Sequence, residues 1–293
     1  MTFSQFIIQF NGAVEMGLIY GLVAVGVYLS FRVLDFPDLT VDGSFPLGAA
    51  VSASMIMAGY DPIVSTATAV LAGSLAGLVT AWMSTHLRML NLLAGILTSS
   101  ALYSINIRVM GHRPNISLLG ENTVFSQYFG EIPLWSALAL LAVICAAIIV
   151  WFLNTKVGLA VRATGNNPKM ARAQGINYRS MTLLGVSMSN ALVAFAGAMF
   201  AQKMGFADVT IGVGTIIVGL AALIVGEALV STRTVFTCVI GCILGAIVYR
   251  VAIAFALNAS DIGLTASDVN LVTAILVVLA LVLPRLKASR STV

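Results

Sequence analysis

The chain has 293 residues, 59% of them hydrophobic and 9% charged, with a mean hydropathy of +1.02, whereas soluble domains carry about 25% charged residues. That excludes an ordinary globular core and predicts one polytopic membrane domain over 1–293, with the bilayer as its solvent. The formal charge of +4 does not signal nucleic acid, because the Lys and Arg residues lie mainly in joints at membrane boundaries, as the positive-inside rule requires.

A spanning helix needs roughly 20 mostly apolar residues. Uncharged runs of that kind predict an all-α bundle of about eight to nine transmembrane helices, at about 14–32, 44–58, 63–83, 89–107, 133–153, 181–203, 211–230, 234–256 and 268–285. The first run lacks a basic n-region and continues from Met16 to Phe31, past the length of a signal-peptide core, so it is expected to stay as a membrane helix. Gly17/Gly21, and later Gly73/Gly77 and Gly241/Gly245, are small-xxx-small pairs suited to close helix contact.

The second run is short and follows Asp35–Pro46, where two prolines and a glycine interrupt helix and three aspartates sit between apolar stretches. Lipid does not tolerate such backbone unless protein or water shields it, so this segment is expected to be broken or re-entrant. Broken helices are where transporters build substrate sites, which makes Asp35, Asp38, Asp42 and Ser44 candidates for the translocation pathway. The aspartates serve equally well as helix caps or interfacial groups.

Further along, Asn106 and Asn190 lie inside apolar runs and suit interhelical hydrogen bonding or pathway lining. Glu15 and Glu227 fall at or near span ends, where an interface explains them. Trp135 and Trp151 bracket one span about 24 Å apart at helical rise, as an aromatic belt does. Cys145, Cys238 and Cys242 sit in apolar runs without metal or disulfide spacing and read as packing residues, and His86 and His112 read as loop residues rather than metal ligands.

Orientation follows from residues 154–180, which hold Lys156, Arg162, Lys169, Arg172 and Arg179 and no acid, and are therefore cytoplasmic. Counting outward places the tail with Arg285, Lys287 and Arg290 inside as well, and the long loop 108–132 outside. The stretch 32–43, with its three Asp, falls inside and fits poorly. Either the N-terminus is outside and all segments cross, or 35–57 dips in without a simple crossing.

Within the basic loop, Asn166 and Asn167 precede Pro168 and Gly175 follows, the pattern of an N-cap, a first-turn proline and a glycine stop around a surface helix of about two turns. Met170, Ala171 and Ala173 are too weakly apolar to enter lipid, while Arg162, Lys169 and Arg172 are available to a polar protein groove. Docking and simple topology control both fit these residues.

Residues 156–177 resemble the cytoplasmic loop of ABC importer permeases of the branched-chain amino acid and sugar type. Gly158, Arg162, Ala163, Gly165, Asn167, Pro168, Ala171, Gly175 and Ile176 match the pattern, and the resemblance extends to 17–27 and 190–201. It implies that Arg162, Gly165, Asn166, Asn167, Pro168, Lys169, Ala171, Arg172 and Gly175 belong to a coupling helix, at about 166–176, seated on a separate ATPase. It also implies an external solute-binding protein, a second permease subunit (a homodimer favoured, with a heterodimer open), and a place in the bacterial inner membrane. The Asp38–Gly43 wording lies nearer the sugar-type form, while an amino acid, hydrophobic or aromatic, remains the solute expected. No phosphate loop is present, so ATP and Mg are expected on the partner, with no cofactor in this chain. An ion-coupled secondary transporter is the alternative, with Asp42 and Glu227 as its coupling acids. An intramembrane enzyme would need a nucleophile–base pair or HExxH, and the sequence has neither.

Overall fold

The computed structural model describes residues 3–258 apart from Glu131 and Ser231. The expected ninth span at 268–285 and the basic tail after it lie outside the described residues.

Helix α1 (Phe3–Val27) continues into a π-helical turn, Tyr28–Val33, where Leu34 N donates to Leu29 O (3.1 Å) and Phe36 N to Ser30 O (2.8 Å). Residues 34–40 form an irregular, non-helical link, with Asp35 exposed and Phe36, Asp38 and Thr40 buried. Then come α2 (Val41–Met57), α3 (Pro62–His86) and α4 (Asn91–Val109). The loop after α4 carries β1 (Asn115–Ser117) and a short capped helix α5 (Val124–Tyr128).

Helix α6 (Leu134–Asn154) is flanked by the exposed Trp135 and Trp151. Two short helices follow, α7 (Lys156–Asn166) and α8 (Pro168–Ala173), then the long α9 (Tyr178–Met204). The chain leaves α9 through β2 (Phe206–Asp208), antiparallel to β1, and a 3₁₀ turn, Val209–Gly212, before α10 (Thr215–Leu229) and α11 (Val235–Asn258). Among the described residues, seven helices are long and apolar enough to span a membrane, and Val41–Met57 is a shorter apolar eighth.

Direction follows from the glycine contacts. A Cβ on Gly77 would stand 2.5 Å from Val186 O, so the second half of α3 lies on the first half of α9. The chain leaving α1 meets the basic loop, because a Cβ on Gly165 would overlap Val33 O and stand 2.7 Å from Leu34 Cα. Both α1 and α3 therefore end on the side of residues 154–180, and the start of α1 is on the opposite side. Segment 34–57 crosses between these two sides, the first of the arrangements allowed by charge counting. It does so with a non-helical stretch in place of its first turns, and protein shields that stretch as lipid could not.

Two helix groups pack around this path. In one, α2 and α3 lie on α9; in the other, α1 and α10 lie on α11, while α6 covers α1 and α4 covers α2 and α3. The predicted glycine pairs sit at these contacts: Gly17 and Gly21 face Ile247 and Ile243, Gly73 and Gly77 face Asn190 and Val186, and Gly241 and Gly245 face Gly226 and Ala222. Close backbone approach supplies dispersion contacts where lipid offers no hydrophobic drive.

The order long helix, non-helical link, short helix, long helix occurs twice. It runs α1, 34–40, α2, α3, and again α9, 205–214, α10, α11, entering from the opposite side. The short helices have 17 and 15 residues, roughly 25 and 22 Å at helical rise. Sequence reading placed a continuous span at 211–230. The apolar helical stretch counted among the seven is Val209–Leu229, within a few residues of that span, and left-handed Gly214 (φ +81°) divides it into the 3₁₀ turn and α10.

Candidate functional site

The two links converge on Asp42. Its side chain occupies the first turn of α2, and Oδ1 accepts from the backbone N–H of Ile216 (2.8 Å), in the first turn of α10. A carboxylate carried on the first turn of α2 thus caps the start of α10, a favourable place for negative charge. A Cβ on Gly212 would overlap Asp42 O, so this junction is close-packed backbone.

One turn away, Asp38, Ser44 and Asn190 form a closed set, all fully buried. Asn190 Nδ2 donates to Asp38 Oδ2 (2.6 Å) and to Val186 O (3.0 Å), and Ser44 Oγ donates to Asn190 Oδ1 (2.7 Å). Thr40 N donates to Asp38 Oδ1 (2.9 Å), and the Thr40 hydroxyl bonds that of Thr80 (2.7 Å). Asn190 stands near the middle of α9, so this set pins the non-helical link deep in the bundle.

Beside it is a cavity of about 430 Å³ lined by Asp42, Gly43, Pro46, Ser99, Ser100, Tyr103, Asn106, Val209 and Val213. Asn106 is fully buried; its Nδ2 donates to Gly43 O (3.4 Å), which fixes the amide's orientation, and its Oδ1 has no hydrogen-bond partner. Ser99, Ser100, Tyr103 and Asn106 follow one another at helical spacing on α4. Polar groups on one stripe of a membrane helix turn from lipid toward a cavity or partner. Sequence reading found Asn106 and missed the other three, whose signal was the i, i+4, i+7 recurrence of Ser99, Tyr103 and Asn106 in one span.

Asp35 belongs elsewhere. It is exposed, left-handed (φ +51°), and lines a separate inner cavity of about 680 Å³ with Tyr28, Arg32, Arg162, Gly165 and Asn166. The structure therefore groups Asp35 with the basic loop and away from Asp38 and Asp42. Glu227 and Glu15 have ion-pair partners at opposite ends of the bundle, Arg32 (2.5 Å) and Lys203 (2.9 Å).

The basic loop forms as its residues require. Asn167 Oδ1 accepts from Met170 N (3.0 Å), Pro168 opens α8, and Gly175 (φ +80°) ends it with Ile176 N donating to Ala171 O (3.0 Å). The surface helix is six residues long, and Asn166 ends α7 instead of opening α8. Asn166, Asn167, Pro168, Lys169 and Met170 are exposed; Ala171 is buried, and Arg172 lies over the Tyr178 ring (4.6 Å). Gly165 faces inward, onto Val33 and Leu34. On the far side, buried Gln202 gathers three elements, accepting from Val124 N (2.9 Å) and donating to Ser52 Oγ (2.9 Å) and Thr66 Oγ1 (2.8 Å).

Half-helices meeting inside a polytopic bundle, next to a polar cavity and above an exposed basic surface helix, define a membrane transport subunit. Residues 10–283 match the family model described as branched-chain amino acid transport system / permease component, and the chain belongs to that family, the permease subunits of ABC importers. It is similar to the tyrosine transport system permease protein of Clostridioides difficile, at 38% identity over 262 residues, 89% of this chain and 86% of that one. It is also similar to the ribose import permease protein RbsC of Bacillus subtilis, at 23% identity over 207 residues, 70% of this chain and 61% of that one. In fold it resembles PsaBC from Streptococcus pneumoniae (TM-score 0.51, 14% identity, 93% of this chain and 89% of that one). The protein is a multi-pass component of the bacterial inner membrane.

Proposed function

We propose that the chain forms half of the solute pathway of an ATP-driven importer for a small amino acid, hydrophobic or aromatic. The observation that carries this reading is the cavity at Asp42, where two short helices begin and a polar stripe of α4 faces them. The relative named for tyrosine transport, alike over most of both chains, supports an amino acid over a sugar. A second copy of this chain completes the pathway, a binding protein delivers solute from outside, and ATP with Mg is bound by a separate ATPase.

Coupling to that ATPase falls to α8. Its exposed Lys169, Met170 and Arg172, with Asn166 and Asn167 before it, offer a compact charged and apolar surface on the cytoplasmic side. Arg162 and Asp35 extend it through the inner cavity.

The test is uptake by proteoliposomes containing the permease, its ATPase and the binding protein. Labelled tyrosine should accumulate only with internal or external ATP at the motor side, and labelled ribose should not. Accumulation by the permease alone under an ion gradient would overturn the reading in favour of a secondary transporter.

A further inference from the structure

We infer that the cavity beside Asp42 is an ammonium-recognising subsite, so that the permease itself selects for a cationic amino group. The inference rests on the reading of this cavity as part of the solute pathway, and it adds the chemical group that the wall reads.

Two groups carry it. Asp42 is half-buried, and among the described residues neither ion pair includes it. Its hydrogen bonds come from neutral backbone donors, Ile216 N to Oδ1 (2.8 Å) and the N–H of Gly214, so Asp42 lines the cavity with no protein cation paired to it. Asn106 presents a second acceptor, the fully buried Oδ1 that has no partner. The amide cannot turn over to hide it, because Nδ2 is held by Gly43 O, which only a donor can satisfy.

A buried acceptor without a donor costs about as much as a lost hydrogen bond. A site that offers a carboxylate and an amide oxygen, and no cation, is matched by a group with several N–H donors and a positive charge. A primary ammonium has three such donors. The hydroxyls of Ser99, Ser100 and Tyr103 line the same space and donate or accept as the remainder of the solute requires. A sugar offers hydroxyls but no charge, and a carboxylate alone would be repelled by Asp42.

Ser100→Cys in the full chain, reconstituted in liposomes, reports the charge preference directly. The thiol is titrated with 2-(trimethylammonio)ethyl methanethiosulfonate and with 2-sulfonatoethyl methanethiosulfonate, using the unsubstituted chain to subtract reaction at the native cysteines. One charge within a few ångströms in a medium between protein and water biases the rates by roughly tenfold. We expect the cationic reagent to be favoured about tenfold beyond its ratio on a free thiol, and Asp42→Asn, which keeps an acceptor for Ile216 N, to remove that excess. An excess unchanged by Asp42→Asn, or no excess, overturns the inference. Tyr103→Cys serves as the reporter if Ser100→Cys does not assemble.

Protection adds the solute. Tyrosine and tyramine should slow the labelling, while N-acetyltyrosine and 3-(4-hydroxyphenyl)propionate should not. Cation preference without protection by any amino acid leaves the subsite standing and defeats the amino-acid reading. Protection by tyrosine that survives in Asp42→Asn, together with no cation preference, defeats the subsite and leaves the amino-acid reading intact.

Discussion

Gly165→Ala separates two roles that the basic-loop motif mixes. The new Cβ would overlap Val33 O and stand 2.7–2.8 Å from Leu34 Cα and C. These are backbone atoms, so no rotamer change relieves them and α7 has to move away from the π turn. Overpacking of this kind typically costs 1–3 kcal/mol, and with backbone on both sides the upper half of that range, about 2–3 kcal/mol, applies. At roughly 2–4 °C per kcal/mol for a large domain, the permease alone in detergent should melt about 4–12 °C lower by intrinsic fluorescence.

Lys169→Ala, on the exposed side of α8, should stay within about 0.5 kcal/mol and leave the melting temperature nearly unchanged. In the assembled importer it should instead reduce stimulation of ATP hydrolysis by the solute-loaded binding protein. A Gly165→Ala permease that melts within about 2 °C of the parent would refute the assignment of Gly165 to packing inside the chain.

Other changes test the polar core. Asn190→Ala removes the donor to buried Asp38 and the acceptor for Ser44; leaving buried polar groups unsatisfied costs about 1–3 kcal/mol each, so strong loss of folded protein in detergent is expected, with Asp38→Asn much milder. Gln202→Leu strands Val124 N, Ser52 and Thr66, at about 2–3 kcal/mol, and should raise hydrogen exchange over 123–128 before any change at α8. Glu227→Gln should cost no more than about 1 kcal/mol, since the Arg32 side chain is 59% exposed and exposed pairs contribute little; thermal melts at low and high salt check it.

What could be read from sequence was what the bilayer imposes. Apolar runs gave the spans because length and hydropathy are set by membrane thickness, and Asn167, Pro168 and Gly175 marked α8 because capping is local chemistry. The joint between α9 and α10 was legible as a gap at 204–210, but its extension to Gly214 was not, because Ile211 and Val213 are as apolar as a helix and only Gly212 and Gly214 mark the turn. The Asp38–Asn190 bond joins residues 152 apart, and no local pattern predicts such a partner. The three aspartates looked alike in the sequence, yet a left-handed residue at Asp35 and a non-helical link send them to three environments.

The glycine contacts restrict how this machine can move. A side chain at Gly48 would overlap Ala194 O, and one at Gly197 would overlap Phe45 O, so α2 and α9 mesh like teeth and cannot slide past one another by a residue without collision. Gly245 against Ala222 O locks α10 to α11 in the same way. Each interlocked set therefore travels as a solid block. Only 28% of the spanning window of α4 is buried, and its polar stripe forms one wall of the Asp42 cavity. Yet α4 is keyed to the same frame, since a Cβ on Gly95 would stand 2.7 Å from Leu39 N and one on Gly43 2.9 Å from Ser99 Cα, so the wall of the cavity and its floor share one set of teeth.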